Sequence, residues 1–174
     1  MRRLYPSARS SVTTLAAAIL IVLPWTWTAE TADGAKSKPT SAHAARGRYL
    51  LAVGNCNDCH TNNFAERNGN VPESTWLQGS PVGFKGPWGT TYAPNLRITV
   101  SGMTEAQWVT FAKTLKTRPP MPWFNLNKMA DADLRALYHF VKSLGPVGKP
   151  APDALPPDAE PKTPYIVFVP QSPK

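Results

Sequence analysis

Cys56-Asn57-Asp58-Cys59-His60 decides how this chain is read. Two thiols three positions apart match the two vinyl groups on one edge of a haem. The residue after the second thiol then presents its imidazole to the iron, so attachment and axial ligation come from one turn of chain. Random placement of the chain's two cysteines and three histidines gives this pattern with a probability on the order of one in five thousand. The competing reading is a Cys-x-x-Cys redox pair that happens to precede a histidine. Such a pair belongs in a strand–turn–helix setting, whereas this motif follows a helical stretch. One motif implies one covalent haem c and excludes a multihaem wire or a two-haem peroxidase. It uses both cysteines, which excludes a disulfide-dense scaffold and a four-cysteine zinc or iron–sulfur site.

Outward from the motif, helical character begins at Ser41, a candidate N-cap, runs through Ala44, Ala45, Tyr49, Leu50 and Val53, and stops at Gly54-Asn55. Residues 61–96 show no sustained period. Gly69, Pro72, Gly79, Pro81, Gly83, Gly86, Pro87, Gly89 and Pro94 mark them as ordered loop with short extended pieces. Thr104 and Gln107 then form a capping-box signature with Glu105 in the first turn. Trp108, Phe111, Ala112 and Leu115 follow as one apolar stripe, and Pro119-Pro120 prevents continuation. The last helix is expected from Asp131 as its cap, with Asp133 in the first turn. Leu134, Leu137, Tyr138 and Val141 make its stripe, widened by Phe140 and Leu144, and Gly145-Pro146 makes its end.

The two ends differ from this body. Residues 1–29 carry Arg2, Arg3 and Arg9 with no acid, then an apolar run over residues 12–23, which reads as a secretory signal, with an uncleaved anchor as the alternative. Export places the mature chain in the bacterial periplasm. Its loss takes three arginines and no acids from the formal charge of +8, leaving about +5. The remaining basic residues are scattered without the stripe and interleaved aromatics of a nucleic-acid reader. Residues 30–40 read as a linker, residues 41–148 as the domain and residues 149–174 as a proline-rich tail. Nine of the last 29 residues are proline. Within the tail, residues 165–169 are a β-prone apolar run: a strap on the domain surface or a docking strand for a partner.

The sixth position of the iron has several candidates. His43 lies in the linker or first helical turn and His139 lies off the main stripe of the last helix, so surface roles suit both. Met103 and Met129 precede helix starts and suit core or staple roles. Met121 is framed by Pro119, Pro120 and Pro122, whose fixed φ stiffens a loop able to hold a thioether at a set distance from iron. Met121 is therefore the expected distal ligand. The alternative is a Met121 that packs on the haem edge and leaves an open site for a gas or peroxide.

These features together resemble class I cytochrome c. Gly47-Arg48-Tyr49-Leu50, Trp88-Gly89 with Asn95-Leu96, residues 119–123, residues 133–138 and Gly145-Pro146-Val147 are similar to the cytochrome c subunits of bacterial periplasmic dehydrogenases. The resemblance implies a mostly α, cytochrome c-like fold with three core helices around one covalent haem, long ordered loops and an extended tail. It implies that Gly47 lets the first helix cross closely against the last, with Leu137 and Phe140 at the crossing and Tyr138 in the haem surround. Trp88 and Asn95 are implied near the haem or its propionates. Those subunits often carry three haem motifs, and this chain carries one. The expected function is outer-sphere electron transfer, not enzyme catalysis. Cys56 and Cys59 would hold the haem, with His60 and Met121 as axial ligands. The expected partners are redox proteins: a periplasmic dehydrogenase as donor and another cytochrome or an oxidase as acceptor, with membrane contact only through an uncleaved signal.

Overall fold

Helix α1 (Ala42–Val53) and helix α6 (Asp131–Leu144) cross at Gly47. A Cβ there would run into the Ala136 carbonyl and lie 2.8 Å from Phe140 Cβ, so only a glycine lets the two backbones meet. The crossing carries Leu50, Leu51, Leu137 and Phe140 into the core, with Phe140 only 1% exposed. The computed structural model describes residues 42–173. The expected signal, the expected linker and the expected Ser41 N-cap lie outside the described residues.

Helix α4 (Glu105–Thr114) packs on α6 through Trp108 and Ala112, and the Trp108 indole donates to the Leu134 carbonyl at 2.8 Å. Its capping box is complete. The Gln107 amide donates to Thr104 Oγ1 at 3.3 Å and the Thr104 amide to Gln107 Oε1 at 2.8 Å. Met103 and Met129 pack half-buried against this core. The start of α6 differs from expectation. Ala130 occupies the N-cap with no side-chain bond, and Asp131 is the first helical residue. There it meets the helix dipole and pairs with Lys113 at 3.1 Å, while Asp133 pairs with Arg46 at 3.0 Å.

Among the described residues, three short α-helices add to the three expected. They are α2 (Cys56–His60), α3 (Leu96–Ser101) and α5 (Trp123–Lys128). Each has five or six residues, less than two turns, so none can display a helical period. The loop between α2 and α3 holds a hairpin of β1 (Gly83–Gly86) and β2 (Gly89–Tyr92), paired from Gly83↔Tyr92 to Gly86↔Gly89.

The tail folds back on this hairpin along both edges. Leu155 bridges Thr90 on β2, and β3 (Tyr165–Val167) pairs in parallel with β1 from Gly83↔Tyr165 to Lys85↔Val167, giving the order β2-β1-β3. Phe168 stacks edge-on against Phe84, with centroids 5.8 Å apart. Among the described residues no helix is long and apolar enough to cross a membrane.

Candidate functional site

The site is built on the turn between α1 and α2. Asn55 adopts the left-handed conformation (φ 53°), which ends α1 and lets the chain restart at once as the Cys56–His60 turn. Thr61 then anchors that turn. Its buried hydroxyl donates to Asn57 Oδ1 at 2.7 Å and accepts from the Leu77 amide at 2.8 Å. The Gly79 amide donates to the His60 carbonyl at 2.8 Å, closing a parallel bridge between Thr61 and Gly79. Five consecutive residues are thereby held to the segment around Leu77 and Gly79.

Cys56 and Cys59 are half-buried, free thiols. Burial pushes the Cys56 thiol up to about 11, and burial raises Cys59 as well, with Asp58 adding to it. An exchange-active dithiol needs the opposite shift, because the thiolate is the nucleophile. The arrangement suits two thiols consumed once in a covalent attachment.

His60 is buried, and its Nδ1 lies 2.8 Å from the Pro94 carbonyl oxygen. A carbonyl only accepts, so this bond requires the proton on Nδ1 and leaves the Nε2 lone pair for a metal. Burial pulls the His60 pKa down, with the Pro94 bond working against it, and favours the neutral ring that ligation requires. Asn95 braces the Pro94 carbonyl. Its Oδ1 accepts from the Ile98 amide at 3.1 Å and caps α3, while its Nδ2 donates to the Val147 and Lys149 carbonyls at 2.8 and 3.2 Å. Both amide hydrogens are thus committed to the chain.

Trp88 sits at the hairpin turn with its ring over Gly86, where a Cβ would come within 2.5 Å of the indole. Its Nε1 and the Thr90 hydroxyl are buried and have no partner among the described residues. Two orphaned polar groups two positions apart are what a bound polar or charged substituent would satisfy. Met121 is half-buried at the entrance to α5, and its carbonyl accepts from the Trp123 amide at 2.9 Å. Thr91 Oγ1 donates to the Pro119 carbonyl at 2.6 Å, so the Met121 loop hangs on the strand that runs into Pro94. One segment, Thr91 to Asn95, therefore supports both His60 and the approach to Met121.

The other candidates lie elsewhere. His43 stacks on His139 with centroids 5.4 Å apart, and His139 Nε2 meets Glu105 Oε2 at 2.6 Å. Both belong to a surface network between α1, α4 and α6. The Tyr138 hydroxyl donates to the Met103 carbonyl at 3.0 Å. Sequence reasoning missed Pro94, which bonds His60 directly, and Thr61 and Thr91, which bond the neighbouring Asn57 and Pro119. It also missed Arg97, 7% exposed, whose guanidinium donates to the carbonyls of Ser74, Leu144 and Gly145 and closes the C-terminus of α6.

This fold and this donor set define a c-type cytochrome. The cytochrome c family model matches residues 44–145, and the chain belongs to that family. Covalently bound haem c is the family's cofactor, and the chain is an electron-transfer protein, not a catalyst of substrate conversion. Among curated proteins it is similar to the fructose dehydrogenase cytochrome subunit of Gluconobacter japonicus, at 29% identity over 150 residues. That match covers 79% of this chain but only 29% of the relative. No solved structure matches the chain.

Proposed function

We propose that the chain carries electrons through a single haem bound by Cys56 and Cys59, with His60 and Met121 as the axial ligands. When bound, haem supplies a one-electron iron couple whose potential a methionine ligand raises. The chain's residues supply the rest. The Pro94 carbonyl holds His60 in the tautomer that frees Nε2, and Thr61 fixes the turn bearing both thiols. Trp88 Nε1 and Thr90 Oγ1 offer polar partners to haem carboxylates, and the α1/α6 core excludes water.

The observation that carries this reading is the His60–Pro94 bond beside two half-buried thiols that form no disulfide. The mass of the intact protein tests the count, because one haem per chain is expected. Met121→Ala tests the distal ligand, with loss of the Met–iron charge-transfer band of the ferric protein and a lower midpoint potential expected. A wild-type protein that lacks the band and binds carbon monoxide without hindrance shows an open site instead.

The basic leader and apolar run support a periplasmic location. The likeness to a dehydrogenase's cytochrome subunit supports a dehydrogenase as electron donor. Co-elution with a dehydrogenase from the native host is expected for a subunit, and elution alone for a free carrier.

A further inference from the structure

Residues 119, 120 and 122 are proline, so the loop that presents Met121 has almost no backbone N–H groups with which to hold itself. It must be positioned from outside. One hold is the Thr91 hydroxyl on the Pro119 carbonyl. The other is Arg118, at the loop's entrance, whose Nη1 donates to the Trp88 carbonyl at 2.8 Å and to the Leu155 carbonyl at 3.0 Å.

Leu155 belongs to the tail, outside the matched family region. It exchanges two backbone bonds with Thr90: the Thr90 amide donates to Leu155 O at 3.1 Å and the Leu155 amide to Thr90 O at 2.9 Å. The same carbonyl thus takes one bond from β2 and one from Arg118. Gly89 makes room for it. Its φ is +94°, and a Cβ there would run into the Leu155 carbonyl and approach Arg118 Nη1 to 3.1 Å.

We infer that the tail is a positioning element for the distal-ligand loop: Leu155, fixed on β2, holds Arg118 and thereby holds Met121 at its working distance. This rests on the assignment of Met121 as distal ligand. It divides the tail by function. Residues 153–157 act on the loop through β2, whereas β3 pairs with β1 on the opposite edge of the hairpin. Just past it Phe168 meets the Trp88 ring with centroids 6.4 Å apart. Among the described residues Arg118 donates to Trp88 and Leu155, not to this segment.

The test is a titration of the ferric holoprotein with imidazole, which competes with Met121 for the iron. A looser loop competes less well. Arg118→Gln and a chain ending at Pro152 should each bind imidazole about tenfold more tightly than the full chain and show a weakened Met–iron band. A chain ending at Glu160 keeps Leu155 and loses β3, and should stay within about twofold of the full chain. Affinities within twofold for Arg118→Gln overturn the inference, and so does an equal rise in all three variants. If the chain ending at Pro152 does not fold, Leu155→Pro takes its place with the same tenfold expectation, because it removes the Leu155 amide bond to Thr90 O while keeping Arg118 and the Trp88 carbonyl. Met121→Ala separates this failure from failure of the ligand assignment. A full chain without the band, which Met121→Ala leaves no more open to imidazole, removes the assignment itself. A full chain with the band and an unresponsive Arg118→Gln removes only the role of the tail.

Discussion

Gly47→Ala sets two well-defined effects against each other. On an isolated helix the substitution is favourable by about 1 kcal/mol, since alanine is the better helix former. At this position the new methyl would overlap the Ala136 carbonyl and lie 2.8 Å from Phe140 Cβ. The main obstacle is the backbone of α6, which cannot rotate aside as a side chain does. The helices must separate and loosen Leu51, Leu137 and Phe140 around the crossing. Overpacking of a tight core costs about 1–3 kcal/mol, and a backbone obstacle belongs at the upper end. The net expectation is a loss of about 2 kcal/mol, or roughly 7 °C in Tm for a domain of this size. The assay is thermal unfolding of the holoprotein followed by far-UV circular dichroism, with the exposed α1 substitution Ala52→Gly as a propensity control. A Tm for Gly47→Ala equal to or above wild type would refute the crossing, because propensity alone would then be in view.

Three further outcomes are expected. Thr61→Val keeps the shape of the side chain but leaves Asn57 Oδ1 and the Leu77 amide without their partner, costing about 2 kcal/mol in a urea titration. An unchanged midpoint would mean that Thr61 does not anchor the motif. Cys56→Ser and Cys59→Ser should each leave haem attached by one thioether, and the double variant should release it in acidified acetone. Release from either single variant would contradict attachment through both. Glu105 is held below the usual carboxylate range chiefly by the Arg135 hydrogen bond, with His139 adding to it. Its stabilising contribution is therefore present above the ordinary value of 4.5 and lost as pH falls through the lower folded value. Glu105→Gln should flatten the stability–pH curve in that acid window, and curves of identical slope would show that the ion pair contributes nothing.

The surface network around Glu105 also accounts for the histidines. His43 and His139 are far apart in sequence and share no local pattern, so their stacking follows only from the α1/α6 crossing. Arg97 follows the same logic. An arginine two residues past a helix cap looks like a solvated charge, yet the end of α6 brings two carbonyls to its guanidinium. Burial lowers its pKa, and its hydrogen bonds to carbonyls replace the lost water.

The sequence by itself determined the chemistry and the long helices. Cys56, Cys59 and His60 lie within one turn of chain, so the geometry of the proposed haem attachment is already in their spacing. The stripes of α4 and α6 and the Thr104–Gln107 box are likewise local, encoded within a few residues of each other. The tertiary structure decided what depends on residues remote in sequence: the Pro94 carbonyl that selects the His60 tautomer, the glycine crossing of α1 and α6, and the support of the Met121 loop. It also decided the place of the tail. A proline-rich stretch has few donors for a pattern to display, and its Leu155 and β3 find their partners only once the Gly83–Tyr92 hairpin presents two edges to pair with.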